Sequence, residues 1–138
     1  MGGYYRPRVE VRVNQPVRDY MTTGPVTIEA DESIEAAEAI MRERGIRHLP
    51  VVRDGEVAGV LTLNQLHLAM LKGEVKREHM VSRAMTKDPY VVSPETPVAE
   101  VVRGLADGKG CALVCEQRRV VGVFTSVDAL RSPGRTGR

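Results

Sequence analysis

The sequence predicts an α/β (α+β) fold in which two copies of one strand-helix-strand-strand-helix unit pack with pseudo-two-fold symmetry. Three observations carry this expectation. First, the chain repeats itself. Met21, Thr22 and Pro25 return as Met85, Thr86 and Pro89, each 64 residues on, and Gly59-Val-Leu-Thr62 returns as Gly122-Val-Phe-Thr125, 63 residues on. Self-similarity at a fixed period marks a repeated supersecondary unit. Second, each copy holds a stretch of helical apolar spacing followed by two β-rich runs around a short polar turn. Third, a copy of roughly 50 residues has too little apolar surface to fold alone. The copies must pack together, and a pseudo-two-fold arrangement leaves two related clefts between them.

In the first copy, Val26-Thr-Ile28 reads as a short strand. Ser33 or Asp31 caps a helix in which Ile34, Ala37, Ile40, Met41 and Arg44 follow helical spacing, and Gly45 stops it. Leu49–Arg53 and Val57–Leu61 flank Asp54-Gly55, a strong hairpin signal. Thr62 with Gln65 three residues later forms a capping box, opening a helix with Leu63, Leu66, His67, Met70 and Leu71 on one side. The connector Gly73–His79 reads as solvated, and His67 as a satisfied core or interface residue.

In the second copy, Thr96-Pro97 supplies a cap and a first-turn proline for a helix striped by Val98, Val101, Val102 and Leu105. The hairpin turn is placed at Gln117-Arg118-Arg119 on the strength of the repeat, since it lacks glycine. Thr125-Ser-Val-Asp128 opens the last helix, with Asp128 at its positive end. Ahead of the repeats, the alternation Val9, Val11, Val13 favours a strand.

Composition excludes several function classes. Aromatic residues are 4%, with no Trp and one Phe, so the core is aliphatic and stacking platforms for single-stranded nucleic acid are scarce. Twenty basic against 18 acidic residues leave +2, too balanced to imply a nucleic-acid or membrane-surface partner. Arg6, Arg8, Arg12 and the tail from Arg131 are the only basic-rich ends, and the tail reads as frayed and solvated. No run of roughly 18 apolar residues could span a membrane, and the N-terminus lacks a signal-peptide core, so a cytoplasmic location is the default. Cys111 and Cys115 would share a strand face about 13 Å apart at ~3.3 Å per residue. A disulfide needs Cα atoms within about 7 Å, so the two read as small core residues. There is no Ser-His-Asp set, HExxH, Walker loop or framed acid pair, so no enzyme, required cofactor or metal is expected.

Met21-Thr22-x-x-Pro25, Met85-Thr86-x-x-Pro89, Gly45-Ile-Arg-His-Leu-Pro-Val-Val52, Gly59-Val-Leu-Thr62 and Gly122-Val-Phe-Thr125-x-x-Asp128 together resemble the cystathionine-β-synthase (CBS) domain family over residues 17–130. The resemblance implies a tandem pair, or Bateman module: an extension at 1–16, one repeat at 17–72, a linker at 73–80, a second repeat at 81–131, and a tail at 132–138. It implies a homodimer that binds AMP, ADP, ATP or S-adenosylmethionine as a regulatory ligand and acts on an effector protein in trans.

The same resemblance suggests ligand residues. Asp128, beside Thr125, stands where family members bind ribose hydroxyls, for which a carboxylate is a suitable acceptor. Adenine would then meet Thr22, Thr23, Pro25 and Val26. Thr125 and Asp128 also read as helix-capping residues, which does not exclude a second role. The related cleft would use Thr62, Gln65, Pro89, Tyr90 and Val91, with Gln65 an uncharged departure from the pattern. Arg47 and His48 stand where phosphates are met, Arg as a forked donor and His as one strengthened by protonation. Their second-copy counterparts are Gly110 and Cys111, and the symmetry also allows Arg47 and His48 to serve the cleft of Asp128. Two other readings remain: a ligand-free dimerisation or interaction module, and nucleic-acid binding through the arginine-rich ends.

Overall fold

The structure, a computed structural model, describes residues 15–130. The strand expected at Val9–Val13, the arginines at 6, 8 and 12, and the tail from Arg131 lie outside the described residues. The first half contains β1 (Thr22–Thr23), β2 (Ile28–Glu29), α1 (Ile34–Arg44), β3 (His48–Arg53), β4 (Glu56–Thr62) and α2 (Leu63–Leu71). The second contains β5 (Tyr90–Val92), α3 (Val98–Ala106), β6 (Ala112–Glu116) and β7 (Arg119–Phe124). Single 3-10 turns stand at Val17–Asp19, Val81–Arg83 and Asp128–Leu130.

The local signals that read clearly are the ones with a mechanism. Ser33, rather than Asp31, caps α1, its hydroxyl accepting from the Ala36 amide at 3.1 Å. Gly45 ends the helix with φ +64°, the left-handed conformation that glycine adopts without Cβ strain. Asp54 and Gly55 turn the first hairpin with φ of 55° and 82°. The second hairpin turns on two residues, Gln117 and Arg118, at φ 51° and 69°, and Arg119 already belongs to β7. Both are non-glycine residues held left-handed, because this two-residue turn matches the twist of the strands.

Four elements differ from the expectation. The strand placed at Val26–Ile28 is shorter and later, Ile28–Glu29, and a second short strand, β1, precedes it. Thr96 does not cap α3; its hydroxyl accepts from the Ser93 amide at 3.1 Å, and Pro97 occupies the cap position without a side-chain bond. The last helix shows only the turn Asp128–Leu130 within the described residues. The connector is not merely solvated: Val75 is buried in the first core, and the carbonyls of His79 and Arg77 accept from the Ile34 and Glu35 amides at 2.9 and 3.0 Å.

Two sheets result, ordered β2-β3-β4 and β1-β7-β6-β5. In each half a short strand runs parallel to the first hairpin strand, β2 to β3 and β5 to β6, as a connection through a helix requires. The halves then exchange their leading segments. β1 of the first half pairs antiparallel with β7 of the second, Thr22 opposite Val123. Its symmetry mate is the bridge between Val60 and Thr86, whose amides and carbonyls bond at 3.1 and 2.8 Å. Val17, Tyr20 and Met21 accordingly sit in the second half's core with Val98, Val101 and Phe124. Val81 and Ala84 sit in the first half's core with Ile34, Met41 and Leu66. Val17 and Val81 are fully buried, and burial of such a side chain stabilises by roughly 1.5–3 kcal/mol, so the crossing is firmly held.

This crossing explains the repeated glycine of the Gly-Val-x-Thr motif. A Cβ on Gly59 would stand 2.5 Å from the Thr86 carbonyl oxygen and 2.8 Å from Met85 Sδ. One on Gly122 would collide with the Met21 side chain. Only a residue without a side chain lets the other half's leading segment lie this close. Between the sheets, Val60 packs with Cys111, Leu113 and Cys115, which share one face of the β6 run. Both cysteines are buried and free, and burial pushes the Cys111 thiol up to about 11. His67 is exposed rather than internal, its Nε2 3.5 Å from Glu38 Oε2.

Candidate functional site

A cleft of about 410 Å³ opens between the two halves. That falls within the roughly 300–1,000 Å³ common for small-molecule sites. Four chain segments line it: Thr22 with Gly24–Val26, between β1 and β2; Gly45–His48, leading into β3; Gly110, ahead of β6; and Val123 with Thr125–Asp128, at and beyond the end of β7. The crossing builds this cleft, since β1 reaches it only by pairing with β7.

Seven of the residues singled out in the sequence meet here: Thr22, Pro25, Val26, Arg47, His48, Thr125 and Asp128. Arg47 and His48 thus join the cleft of Asp128, the arrangement the symmetry allowed and the sequence alone left open. Thr23 lies outside this lining, on β1 opposite Gly122. Gly110 gave no signal as a glycine. It is the counterpart of Arg47, so the symmetry that brings Arg47 here is the clue that could have found it. A Cβ on Gly110 would lie 3.9 Å from His48 Nε2, so the bare backbone keeps this part of the cleft open.

Asp128 is 3% exposed and borders the cleft. Its Oδ1 accepts from the Thr22 hydroxyl at 3.0 Å, and its Oδ2 from the Thr125 amide at 2.9 Å and the Thr125 hydroxyl at 3.3 Å. One carboxylate therefore closes the turn after β7 and ties it to the other half's leading strand. On the same cleft, His48 is half-buried and Arg47 exposed. Burial, and then the charge of Arg47 beside it, hold the His48 imidazole below the usual histidine range. A cation, a largely neutral imidazole at neutral pH and a carboxylate thus border one open cleft.

The second set of residues is not gathered in the same way. Gln65 completes the capping box with Thr62, its amide donating to Thr62 Oγ1 at 3.0 Å and its Oε1 accepting from the Thr62 amide at 3.3 Å. Its Nε2 donates to the Thr86 hydroxyl at 2.7 Å, a tie between the halves like that of Asp128 with Thr22 but with the donor and acceptor exchanged. Pro89 and Val91 line a different hollow with Arg53 and Arg118. The Tyr90 ring lies against Gly104 of α3, and Lys109 Nζ stands 5.7 Å from its centroid. Where Arg47 and His48 face the first cleft, the related positions are Gly110 and the apolar, buried Cys111. Among the described residues no group of three His, Cys, Asp or Glu side chains could hold a metal ion, and no helix is long and apolar enough to cross a membrane.

Comparison with known proteins bears on the fold and the family. The chain is 33% identical over 122 residues to an A-adding tRNA nucleotidyltransferase of Aquifex aeolicus and 32% identical over 114 residues to an inosine-5'-monophosphate dehydrogenase of Korarchaeum cryptofilum. The matches take in 87% and 81% of this chain but only 14% and 22% of those proteins. Among solved structures, a conserved protein from Pyrococcus horikoshii superposes with a TM-score of 0.78 at 27% identity, covering 87% of this chain and 92% of that one. The CBS domain pair of protein MJ0100, crystallised with 5'-methylthioadenosine and S-adenosyl-L-methionine, superposes with a TM-score of 0.76 at 26% identity, covering 83% and 91%. The CBS domain pattern itself matches residues 17–72 and again 81–134. The chain belongs to the CBS domain family, as a tandem pair.

Proposed function

We propose that this chain is a regulatory module that binds an adenosine-containing ligand, AMP, ADP, ATP or S-adenosylmethionine, in the cleft of Asp128. In this reading it catalyses nothing itself, acts as a cytoplasmic homodimer, and signals to an effector protein in trans. The observation that carries the reading is the convergence of Thr22, Arg47, His48, Thr125 and Asp128 on one cleft between the halves. Asp128 accepts the ribose hydroxyls, the Thr22–Val26 backbone reads the purine edge, and Arg47 with His48 meets the phosphates or other polar end. The MJ0100 pair, with its two adenosine compounds, supports the ligand class. Since Asp128 also bonds Thr22, a ligand on this carboxylate would pull on the joint between the halves, which gives a route for the signal.

The second cleft we read as structural, because Gln65 brings no charge where Asp128 brings a carboxylate, and the related positions 110 and 111 carry no charge either. One ligand per chain is the expected stoichiometry. Calorimetric titration with the four adenosine compounds tests this. A dissociation constant below about 1 mM, some −4 kcal/mol, for at least one of them supports the reading, and weaker binding by all four removes it. In that event the three hydrogen bonds already made by Asp128 favour the interaction-module reading, in which the carboxylate is purely structural.

A further inference from the structure

We propose that the groove formed by Arg53, Arg83 and Lys87 is a docking surface for an acidic protein segment, an extended run of Asp or Glu on a partner. The groove holds about 520 Å³ and is lined by Arg53 at the end of β3, Ala58 of β4, and Ser82, Arg83, Met85 and Lys87 of the second half's leading segment. All three cations are exposed, and no carboxylate is among the described residues that line it. Elsewhere Arg18 pairs with Glu95, Arg77 with Glu38 and Arg118 with Glu56, while Arg42, Arg44 and Lys72 are exposed cations that, like the three of the groove, make no ion pair among the described residues. Among the described residues, none pairs with Arg53, Arg83 or Lys87. The apolar floor of Ala58 and Met85 suits the stems of a peptide as well as its charges.

The repeat itself shows that the fold does not impose this patch. Moving by the internal offsets, Arg53 becomes Glu116, Arg83 becomes Asp19 and Lys87 becomes Thr23. Three cations at one edge stand against two carboxylates and a threonine at its mate. The adjoining hollow toward the hairpin turns shares Arg53 and Lys87 with the groove and adds Arg118, Asp54, Glu56 and Asp88, so the carboxylates stand on that side and none on the Ser82–Arg83 side. An extended segment fits better than a single small anion. Exposed ion pairs are individually weak and screened by salt, so useful affinity needs several carboxylates on one chain. The groove is separate from the Asp128 cleft, and the inference stands whether or not that cleft binds adenosine.

Fluorescence anisotropy of a dye-labelled octaglutamate peptide at low salt provides the test, on the full chain without nucleotide. The variant R53A/R83A/K87A is expected to bind at least tenfold more weakly than the parent. The control R42A/R44A/K72A, which removes as many exposed cations from elsewhere, is expected to change affinity less than threefold. Both variants should melt within a few degrees of the parent, since the replaced side chains are exposed. Equal weakening in the two variants, or no binding to the parent at about 1 mM peptide, would overturn the proposal. So would tripolyphosphate binding the groove more tightly than the peptide, which would make it a small-polyanion site.

Discussion

Replacing Asp128 with Gln separates the two roles of this carboxylate, because the first half is a built-in control. There Gln65 occupies the related position, bonding the Thr62 amide and the Thr86 hydroxyl, and its half is fully folded around it. D128Q is therefore expected to keep the turn after β7 and the tie to Thr22, at a cost within about 1 kcal/mol, or some 3–5 °C in Tm for a chain of this size. Ligand affinity should respond differently. A hydrogen bond to a charged acceptor contributes about 1.5–3 kcal/mol against about 0.5–1.5 for a neutral one, a difference near 1–1.5 kcal/mol per bond. Two ribose hydroxyls then give a loss of about 2–3 kcal/mol, which is roughly 30- to 150-fold in Kd. Calorimetry with the tightest adenosine ligand measures the second quantity, and urea unfolding followed by circular dichroism the first. An affinity within threefold of the parent, with the fold intact, would refute the assignment of Asp128 as the ribose acceptor.

Other outcomes follow from the same geometry. G59A should destabilise by about 2–3 kcal/mol and G122A by about 1, because the new methyl at 59 meets the Thr86 backbone whereas the one at 122 meets a pliable methionine; urea midpoints of the two variants order them. Q117N should stabilise by about 0.5–1 kcal/mol, since Asn tolerates the left-handed backbone that Gln117 is forced into, and an unchanged midpoint would contradict the strain. Stability should also follow pH through His48. Its folded-state affinity for protons is lowered, so well above about pH 6.5 it is neutral in both states and contributes nothing. As pH falls below that, the unfolded chain takes up a proton that the folded chain resists, and stability declines until the folded imidazole also titrates. H48N should flatten this part of the profile, measured as urea midpoint from pH 8 to 5.

What the sequence makes legible is what neighbours in the chain decide. Ser33, Gly45, Asp54-Gly55 and the Thr62–Gln65 box act within a turn or two of themselves, and each appears where its chemistry puts it. Thr96 was misread because a hydroxyl before a helix can serve an amide upstream as easily as one downstream, and here Ser93 takes it. His67 is not a core residue: apolar neighbours on a helix do not fix which way the edge of the stripe faces. The exchange of leading segments left no local trace: Val17, Tyr20 and Met21 look like any short apolar run, and only long-range packing shows whose core they fill. The site follows the same division. Asp128 and Arg47 could be picked out by the family resemblance, but their meeting in one cleft, and the space that Gly110 leaves there, depend on the symmetry axis and not on any motif.

The interleaving of the halves has a consequence for how the chain comes into being. A ribosome delivers residues 15–23 well before their burial partners at 92–124, which appear about 70 to 100 residues later. That opening segment must stay unburied through most of synthesis, and the first half waits for residues 75–85 before its own interior is complete. Such long loops slow folding, because closure entropy is lost before the contacts repay it. It also means that a chain severed between Leu71 and Val75 would yield two fragments, each carrying a piece of the other's interior, that could regain order only by finding one another.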